Sequence, residues 1–511
     1  MGSNRQIAKN TAFLYVRMFI VLAVSLYTSR RVLQALDVVD FGIYNVVAGF
    51  VSLFGFLETT LSSSIQRFYN FEETRQGPDG FRKVFSEGIV IQTGLSLSLL
   101  ILLETVGLWY VNHVMVIPPE RLRAANFLFQ FSTLSLMLVL FQVPFSGAII
   151  ARERMDFFAL VSIIEVFLKL GIALLLTRSG SDRLILYGGL MLAVTAVSTV
   201  LMAVYSHLRF PELRFLRQRD PAMRKSLLSF SGWSLVGAFV FMMKGQGLNM
   251  LLNFFFGPVI NAARGLTYQI SGAIGGFSSN ITVAFRPQVV SSFAEGDRQR
   301  TRDLMFMESR ICFGLIALLI TPVIIEMDYI LHLWLGPVVP EHTAAFATLV
   351  LTDTLVCTLN TPCTQVVYAV GDIRRYQIWT TIWNLLLLPV CWLLLKGGLP
   401  PESVFAATLV FSVVLQPLCL FLTRQVFPFS WTDYGKRTLL PCLGTAVLLP
   451  ILPGLIRFLA APSFWRLLGV CFATVAAALP VCYFLILDAH ARGEVRKALR
   501  RFGKGSDTQT P

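Results

Sequence analysis

Charge is scarce in this chain. Asp, Glu, Lys and Arg make up 14% of its 511 residues, against roughly 25% in an ordinary soluble domain. No polar stretch exceeds about 20–25 residues, so no large water-soluble catalytic domain can be assembled. The five histidines, His113, His207, His332, His342 and His490, are scattered with no ligand spacing. The eight cysteines all fall inside apolar segments and form no CxxC, which excludes a disulfide framework and implies no metal centre. GxxxxGK[ST], HExxH and GxSxG are all missing. A built-in ATPase, a zinc peptidase and a nucleophile-elbow hydrolase are therefore not indicated.

Apolar residues are what the chain has, at 55%. A membrane-crossing helix needs about 20 of them in succession. Fourteen such segments can be marked, at 11–29, 41–65, 84–110, 124–150, 157–177, 184–206, 227–255, 259–285, 306–330, 343–370, 376–395, 403–423, 438–457 and 465–487. The first follows a short basic start and ends at Arg30-Arg31 with no small-residue cleavage site, so it reads as a retained helix. The fold expected is an all-α polytopic membrane protein.

The net charge of +14 suggests nucleic acid in a soluble protein, but here a membrane rule explains it. With the N-terminus in the cytoplasm and the segments alternating, 29 Lys and Arg fall in cytoplasmic loops and tails and 9 on or at the other side. That asymmetry places both termini inside. The longest basic loop, HLRFPELRFLRQRDPAMRK, links helices six and seven. It divides the chain into an N-terminal lobe (1–208), a basic linker (209–226), a C-terminal lobe (227–425), two further helices (426–487) and a basic tail (488–511). The halves also resemble each other faintly. A shift of 216 residues, about one lobe in length, sets Asn45 over Asn261 and Gly49 over Gly265, with FGIYNVVAGF facing FGPVINAARG. Six helices per repeat would insert both copies the same way up, with a site between them.

Ionisable residues inside membrane segments are functional candidates by default. At 100° per residue, helix eight carries Asn261, Arg264, Tyr268, Ser271, Gly275 and Ser279 on one face and Leu266, Ile270, Ile274, Phe277 and Ile281 on the other. Such a polar, small and basic face either lines a wet cavity or packs helix on helix; arginine favours the cavity. Helix one carries Arg17, with Arg30 and Arg31 at its far end, and helix seven a stripe of Gln246, Asn249 and Asn253, with Lys244 pointing elsewhere. Glu165 and Lys169 stand four apart, a spacing for a self-neutralising pair or for a coupling-ion site. Glu58, Glu104 and Asp353 are lone carboxylates, any of which could hold a proton or Na⁺. Arginine without carboxylate on helices one and eight suits an anion, since guanidinium binds phosphate oxygens in pairs.

Several stretches are similar to the polysaccharide (O-antigen) flippase family of the MOP superfamily, which also holds MATE exporters and lipid II flippases. They are KNTAFLYVRM, VSLYTSRRVLQAL, DFGIYNVVAGFVSLFGFL and SSSIQRFYNFE near the start, then LNFFFGPVINAARGLTYQIS, LWLGPVVPEHTAAF and AVGDIRRYQI. The resemblance covers residues 5–425 and is most specific over helices one, two and eight. Lys244 and the glycine-rich ISGAIGGF stretch depart from it. It implies two six-helix lobes in a V around a central cavity. It implies that an undecaprenyl-pyrophosphate-linked oligosaccharide is moved from the cytoplasmic to the periplasmic leaflet of the bacterial inner membrane. Arg17, Arg30 and Arg264 would meet the diphosphate. Asn45, Gln246, Asn249, Asn253, Asn261 and Tyr268 would line the cavity, and Glu58, Glu165 and Asp353 are the coupling-ion candidates. No enzyme activity and no cofactor are expected beyond an ion gradient or the membrane potential. The partners expected are the lipid-linked substrate, membrane lipids and polysaccharide-assembly proteins. The alternative is a MATE-like, ion-coupled exporter of small molecules.

Overall fold

In the computed structural model, residues 2–152, 154–178, 180, 182–215, 220–487 and 492 are described, and within them the side chains of 2–18, 59, 63, 70, 74, 222, 226, 228–237, 283, 284 and 287 are not. The described residues are almost entirely helical, with no strand among them. The first helix, α1 (Gly2–Ser52), has one break, at Asp37, where φ is 66° and ψ 167°. Aspartate is among the few residues that tolerate positive φ, and its Oδ1 accepts the Val38 N–H at 2.8 Å. The sequence suggested that Arg30-Arg31 ends the first helix. Instead the helix runs on to the Asp37 bend, and the chain turns there. After a 3₁₀ turn come α2 (Phe56–Gln76) and α3 (Pro78–Leu102). A π-helical turn at Leu103–Gly107 leads into α4 (Leu108–His113). Then follow α5 (Leu122–Ala151), α6 (Met155–Leu176), α7 (Arg183–Arg209), α8 (Pro221–Phe256) and α9 (Pro258–Ala294).

The rest of the chain forms α10 (Arg298–Ile325), α11 (Met327–Leu335), α12 (Thr343–Cys357), α13 (Asn360–Val370), α14 (Arg374–Lys396), α15 (Glu402–Val426), α16 (Trp431–Tyr434), α17 (Leu440–Leu448), α18 (Ile451–Leu459) and α19 (Phe464–Val481). Eleven helical stretches among the described residues are long and apolar enough to cross a membrane. One of them, Phe19–Glu73, is 55 residues long and is bent at Asp37, which gives it length for two passes. The 36 residues of α8 and 37 of α9 are also long enough to span, because a helix rises 1.5 Å per residue. Fourteen crossings are compatible with this inventory. Phe458, Leu459, Trp465, Phe472 and Leu479 stand exposed on α18 and α19. In water such a surface would aggregate; against lipid tails it is satisfied.

Two compact units divide the chain. The first holds residues 1–266, 334–341 and 388–401; the second holds 267–333, 342–387 and 402–511. In the first, α1 packs on α6 and α5 on α7 and α2, around Ile43, Val46, Leu128, Phe129 and Leu140. Its two ends are tied by charge. At the N-terminal end of α5, Arg121 reaches Asp40 at 2.5 Å and Asp182 at 2.7 Å. At the opposite end, Arg152 pairs with Glu73 at 2.6 Å and with Glu212. There too, Arg224 pairs with Glu87 of α3 at 2.7 Å, so the linker is tied to the body of this unit through Glu212 and Arg224.

In the second unit, α10 is the hub. Phe306, Cys363, Val366, Cys419, Phe427 and Tyr434 form its core. The last helices are built into this body. Tyr434 of α16 is buried against Phe306, with ring centroids 5.4 Å apart, and accepts the Gln416 amide at 2.8 Å. Arg466 at the start of α19 meets Glu326 at 2.5 Å, the carboxylate being fully buried.

Candidate functional site

The polar residues marked on helices two, seven and eight of the sequence converge within the first unit, where α1, α8 and α9 cross. Three glycines permit the approach. A Cβ at Gly42 would lie 1.9 Å from the Pro258 carbonyl oxygen; one at Gly49 would lie 2.6 Å from Asn249 Nδ2; one at Gly265 would lie 2.4 Å from Asn45 Oδ1. Helices brought this close by small residues can exchange hydrogen bonds between amide side chains and backbone. Asn249 Nδ2 donates to the Asn45 carbonyl at 3.1 Å, and Asn261 Nδ2 donates to the Asn249 carbonyl and Oδ1 at 2.7 and 2.8 Å. Asn45 Nδ2 donates to the Phe41 carbonyl at 2.7 Å. Gln246 sits beside Asn249, at 3.5 Å.

Asn253 clasps the backbone of Val116 in both directions, accepting its N–H at 3.0 Å and donating to its carbonyl at 3.3 Å. Asn249, Asn253 and Asn261 are all buried. Arg264, on the same face of α9, is 7% exposed, and its Nη2 donates to the Gly245 carbonyl at 2.6 Å. The residues matched by the faint internal repeat meet each other here, since Asn45 abuts Gly265 and Gly49 abuts the Asn249 amide that binds Asn261.

The remaining candidates are dispersed. Arg30 is half-buried on α1, beside the left-handed turn at Gly336. That turn is further tied to α1 by Gln34 donating to the Leu335 carbonyl at 3.3 Å and Trp334 Nε1 donating to the Leu26 carbonyl at 2.7 Å. Arg31 lies over the Tyr27 ring at 5.2 Å. Arg17 is on α1, with its side chain outside those described. Lys244 has Cys391 of α14 within electrostatic reach. Tyr268, at 38% exposure, belongs to the second unit.

Among the carboxylates, Glu165 accepts Lys169 Nζ at 2.6 Å along α6 and has the exposed Glu58 within electrostatic reach. Gln130 donates to Glu104 at 3.0 Å. Asp353 sits apart on α12, with Cys357 Sγ 4.0 Å from its Oδ2.

Three polar clusters had not been singled out from the sequence. One is the Arg121 fork on Asp40 and Asp182. The second is the buried pair Arg466–Glu326. The third is Glu308 of α10, fully buried, whose Oε1 accepts the Gln365 amide at 3.0 Å. Glu308 and Glu326 both lie in the apolar run 306–330, so the test applied to Glu58 and Asp353 could have found them. No group of three or more His, Cys, Asp or Glu able to hold a metal ion occurs among the described residues.

No family model matches this chain, and no curated protein matches it in sequence. Solved structures do match. The lipid II flippase MurJ in an inward closed conformation is similar over 93% of this chain and 98% of its own, at 13% identity and a TM-score of 0.71. The eukaryotic MATE transporter AtDTX14 is similar over 86% and 99%, at 12% identity and a TM-score of 0.59. An inward-facing multidrug resistance MATE family transporter of the MOP superfamily is similar over 81% and 94%, at 14% identity and a TM-score of 0.58. At such identities the likeness is one of fold. The protein is helical among the described residues, crosses the membrane several times, and shares the fold of these flippase and MATE structures.

Proposed function

We propose that this protein is a flippase for a lipid-linked oligosaccharide, carrying an undecaprenyl-pyrophosphate headgroup from the cytoplasmic to the periplasmic leaflet by alternating access of two lobes. The observation that carries the reading is the extent of the fold match. The structural similarity to a lipid-linked flippase takes in 93% of the chain, against 81–86% for the two MATE transporters. Helices α16–α19, packed into the second unit through Tyr434 and Arg466, lie beyond a twelve-helix core.

Charge supports the same reading. The cationic candidates on α1 and α9 are arginines, and a phosphate oxygen pair suits the guanidinium fork. Arg30, half-buried beside the Gly336 turn, is the first contact for the diphosphate. Arg17 follows along α1. Arg264 exchanges the Gly245 carbonyl for phosphate when the lobes rearrange. The amides Asn45, Gln246, Asn249, Asn253 and Asn261, with Tyr268, line the path in the state that opens it. The membrane potential drives an anionic headgroup outward by about 2.3 kcal/mol per charge per 100 mV, which biases export without a further energy source. Assembly of cell-surface polysaccharide supplies the lipid-linked partner and consumes the product.

The test is binding of a short-chain polyprenyl-diphosphate oligosaccharide to the purified protein in nanodiscs. Wild type should bind it in preference to the matching polyprenyl alcohol. Arg30→Ala should weaken binding at least tenfold and Arg30→Lys less, because an ammonium keeps charge but loses the fork. Equal affinity for the diphosphate and the alcohol would contradict the proposal and favour the small-molecule exporter.

A further inference from the structure

The second unit contains a fully buried carboxyl group with no salt-bridge partner among the described residues. Glu308 is fully buried on α10, between α9 and α13. One oxygen, Oε1, accepts from Gln365 Nε2 at 3.0 Å, and the same Nε2 donates to the Thr282 carbonyl at 3.0 Å, which fixes the amide. The other oxygen, Oε2, is buried without a hydrogen-bond partner, and so is Gln365 Oε1. Among the described residues no cation is in salt-bridge contact with Glu308. Arg286 of α9, whose side chain is exposed, is within electrostatic reach.

Two of the charged groups packed around α10 are paired elsewhere. Arg437 pairs with Asp303 at 2.9 Å and Arg466 pairs with Glu326, while Arg310 has Cys442 of α17 within electrostatic reach. Cys312 and Cys363 are the titratable groups near the carboxyl on α10 and α13, both buried thiols. Asp353 and Cys357 face each other on α12.

A buried carboxylate in a membrane interior, with the Gln365 amide and the Thr282 side chain as its neutral donors and no salt-bridged cation, carries a heavy desolvation penalty unless a proton or a cation joins it. We propose that Glu308 is a proton-binding site, held as the neutral acid in the conformation described here. The step is a simple uptake. The carboxylate takes H⁺ from water, forming one O–H bond on the oxygen left unpartnered, and releases it again when movement of α9 or α13 admits water. Burial of the carboxyl is thereby linked to proton uptake, so that opening and closing of this unit depend on pH. The site stands on its own geometry and does not require the lipid-linked substrate.

The experiment uses the full-length protein in nanodiscs and pH-difference infrared spectroscopy. Wild type should show the C=O stretch of a protonated carboxyl at neutral pH, moved by D₂O and titrating away only in alkali. Glu308→Gln should lack that band, while Asp353→Asn keeps it. Glu308→Gln should also unfold at or above the wild-type temperature, because glutamine preserves the neutral shape. A spectrum unchanged by Glu308→Gln would overturn the proposal. So would a variant that fails to fold or melts lower. A rise in wild-type melting temperature with Na⁺ that is absent in Glu308→Gln, with no acid band at neutral pH, would replace the proton by a cation and overturn it too. Loss of flippase activity plays no part in this readout, so failure of the transport reading and failure of the proton site are told apart.

Discussion

Gly265→Ala tests whether the α1–α8–α9 crossing is a close-packed joint. The new methyl group would sit 2.4 Å from Asn45 Oδ1, 2.7 Å from its Cγ and 3.0 Å from its Nδ2. All three amide atoms are too close, so Asn45 must swing away and lose its bond to the Phe41 carbonyl. The lost bond costs about 1 kcal/mol. Overpacking of a tight site adds about 2 kcal/mol, and the better helix propensity of alanine returns about 1 kcal/mol. The net expectation is a loss of about 2 kcal/mol. In an Asn45→Ala background the obstacle is gone, and the same substitution should stabilise by about 1 kcal/mol through propensity alone. The two effects differ by about 3 kcal/mol, a coupling at the upper end for residues in direct contact. The assay is a double-mutant cycle on the reconstituted protein, read by reversible unfolding or by thermal midpoints. Additivity within about 0.5 kcal/mol, or a Gly265→Ala protein as stable as wild type, would refute the joint.

Two further expectations concern charge. Arg466→Ala leaves the fully buried Glu326 without its partner and should destabilise by about 3–5 kcal/mol; proteolysis should then release α18–α19 first, and adding Glu326→Gln should recover part of the loss. Burial alone would raise the Asp182 carboxyl, but the Arg121 guanidinium and the N–H groups of Ile185 and Leu184 outweigh it and hold the group below its ordinary value. A carboxyl depressed in the folded state stabilises above its unfolded pKa of about 3.9 and loses that contribution as pH falls through the folded value. Thermal scans between pH 7 and about 3 should therefore show an acid-labile component that Asp182→Asn removes, and a pH profile identical in the two proteins would contradict the clamp.

Much of this fold could be read from apolar runs, because a helix that crosses lipid must carry its own length of hydrophobic residues. What composition could not place was the end of the first helix. Arg30 and Arg31 look like a stop, yet their side chains leave the helical backbone intact, and the chain turns at Asp37, where positive φ does the work. The helical wheel put Asn261 and Arg264 on one face of α9, and they do share it. A wheel cannot tell a wet face from a packed one. The hint lay in Gly49 and Gly265, aligned by the internal repeat, because glycine at matched positions marks close backbone approach. The Arg121 fork was out of reach for a different reason. Asp40, Arg121 and Asp182 are far apart in sequence, and no local pattern announces that they meet. Glu308 and Glu326 were visible as acids within an apolar run, but their burial and their different partners are properties of tertiary packing.

The central claim is translocation, and leaflet protection measures it most directly. Proteoliposomes carrying the purified protein and a fluorescent undecaprenyl-pyrophosphate oligosaccharide are exposed to a membrane-impermeant quencher. The account expects protein-dependent loss of protection of the inner-leaflet lipid, abolished by Arg264→Ala and only reduced by Arg264→Lys. Protection as complete as in protein-free liposomes, with and without pH, Na⁺ or voltage gradients, would contradict it.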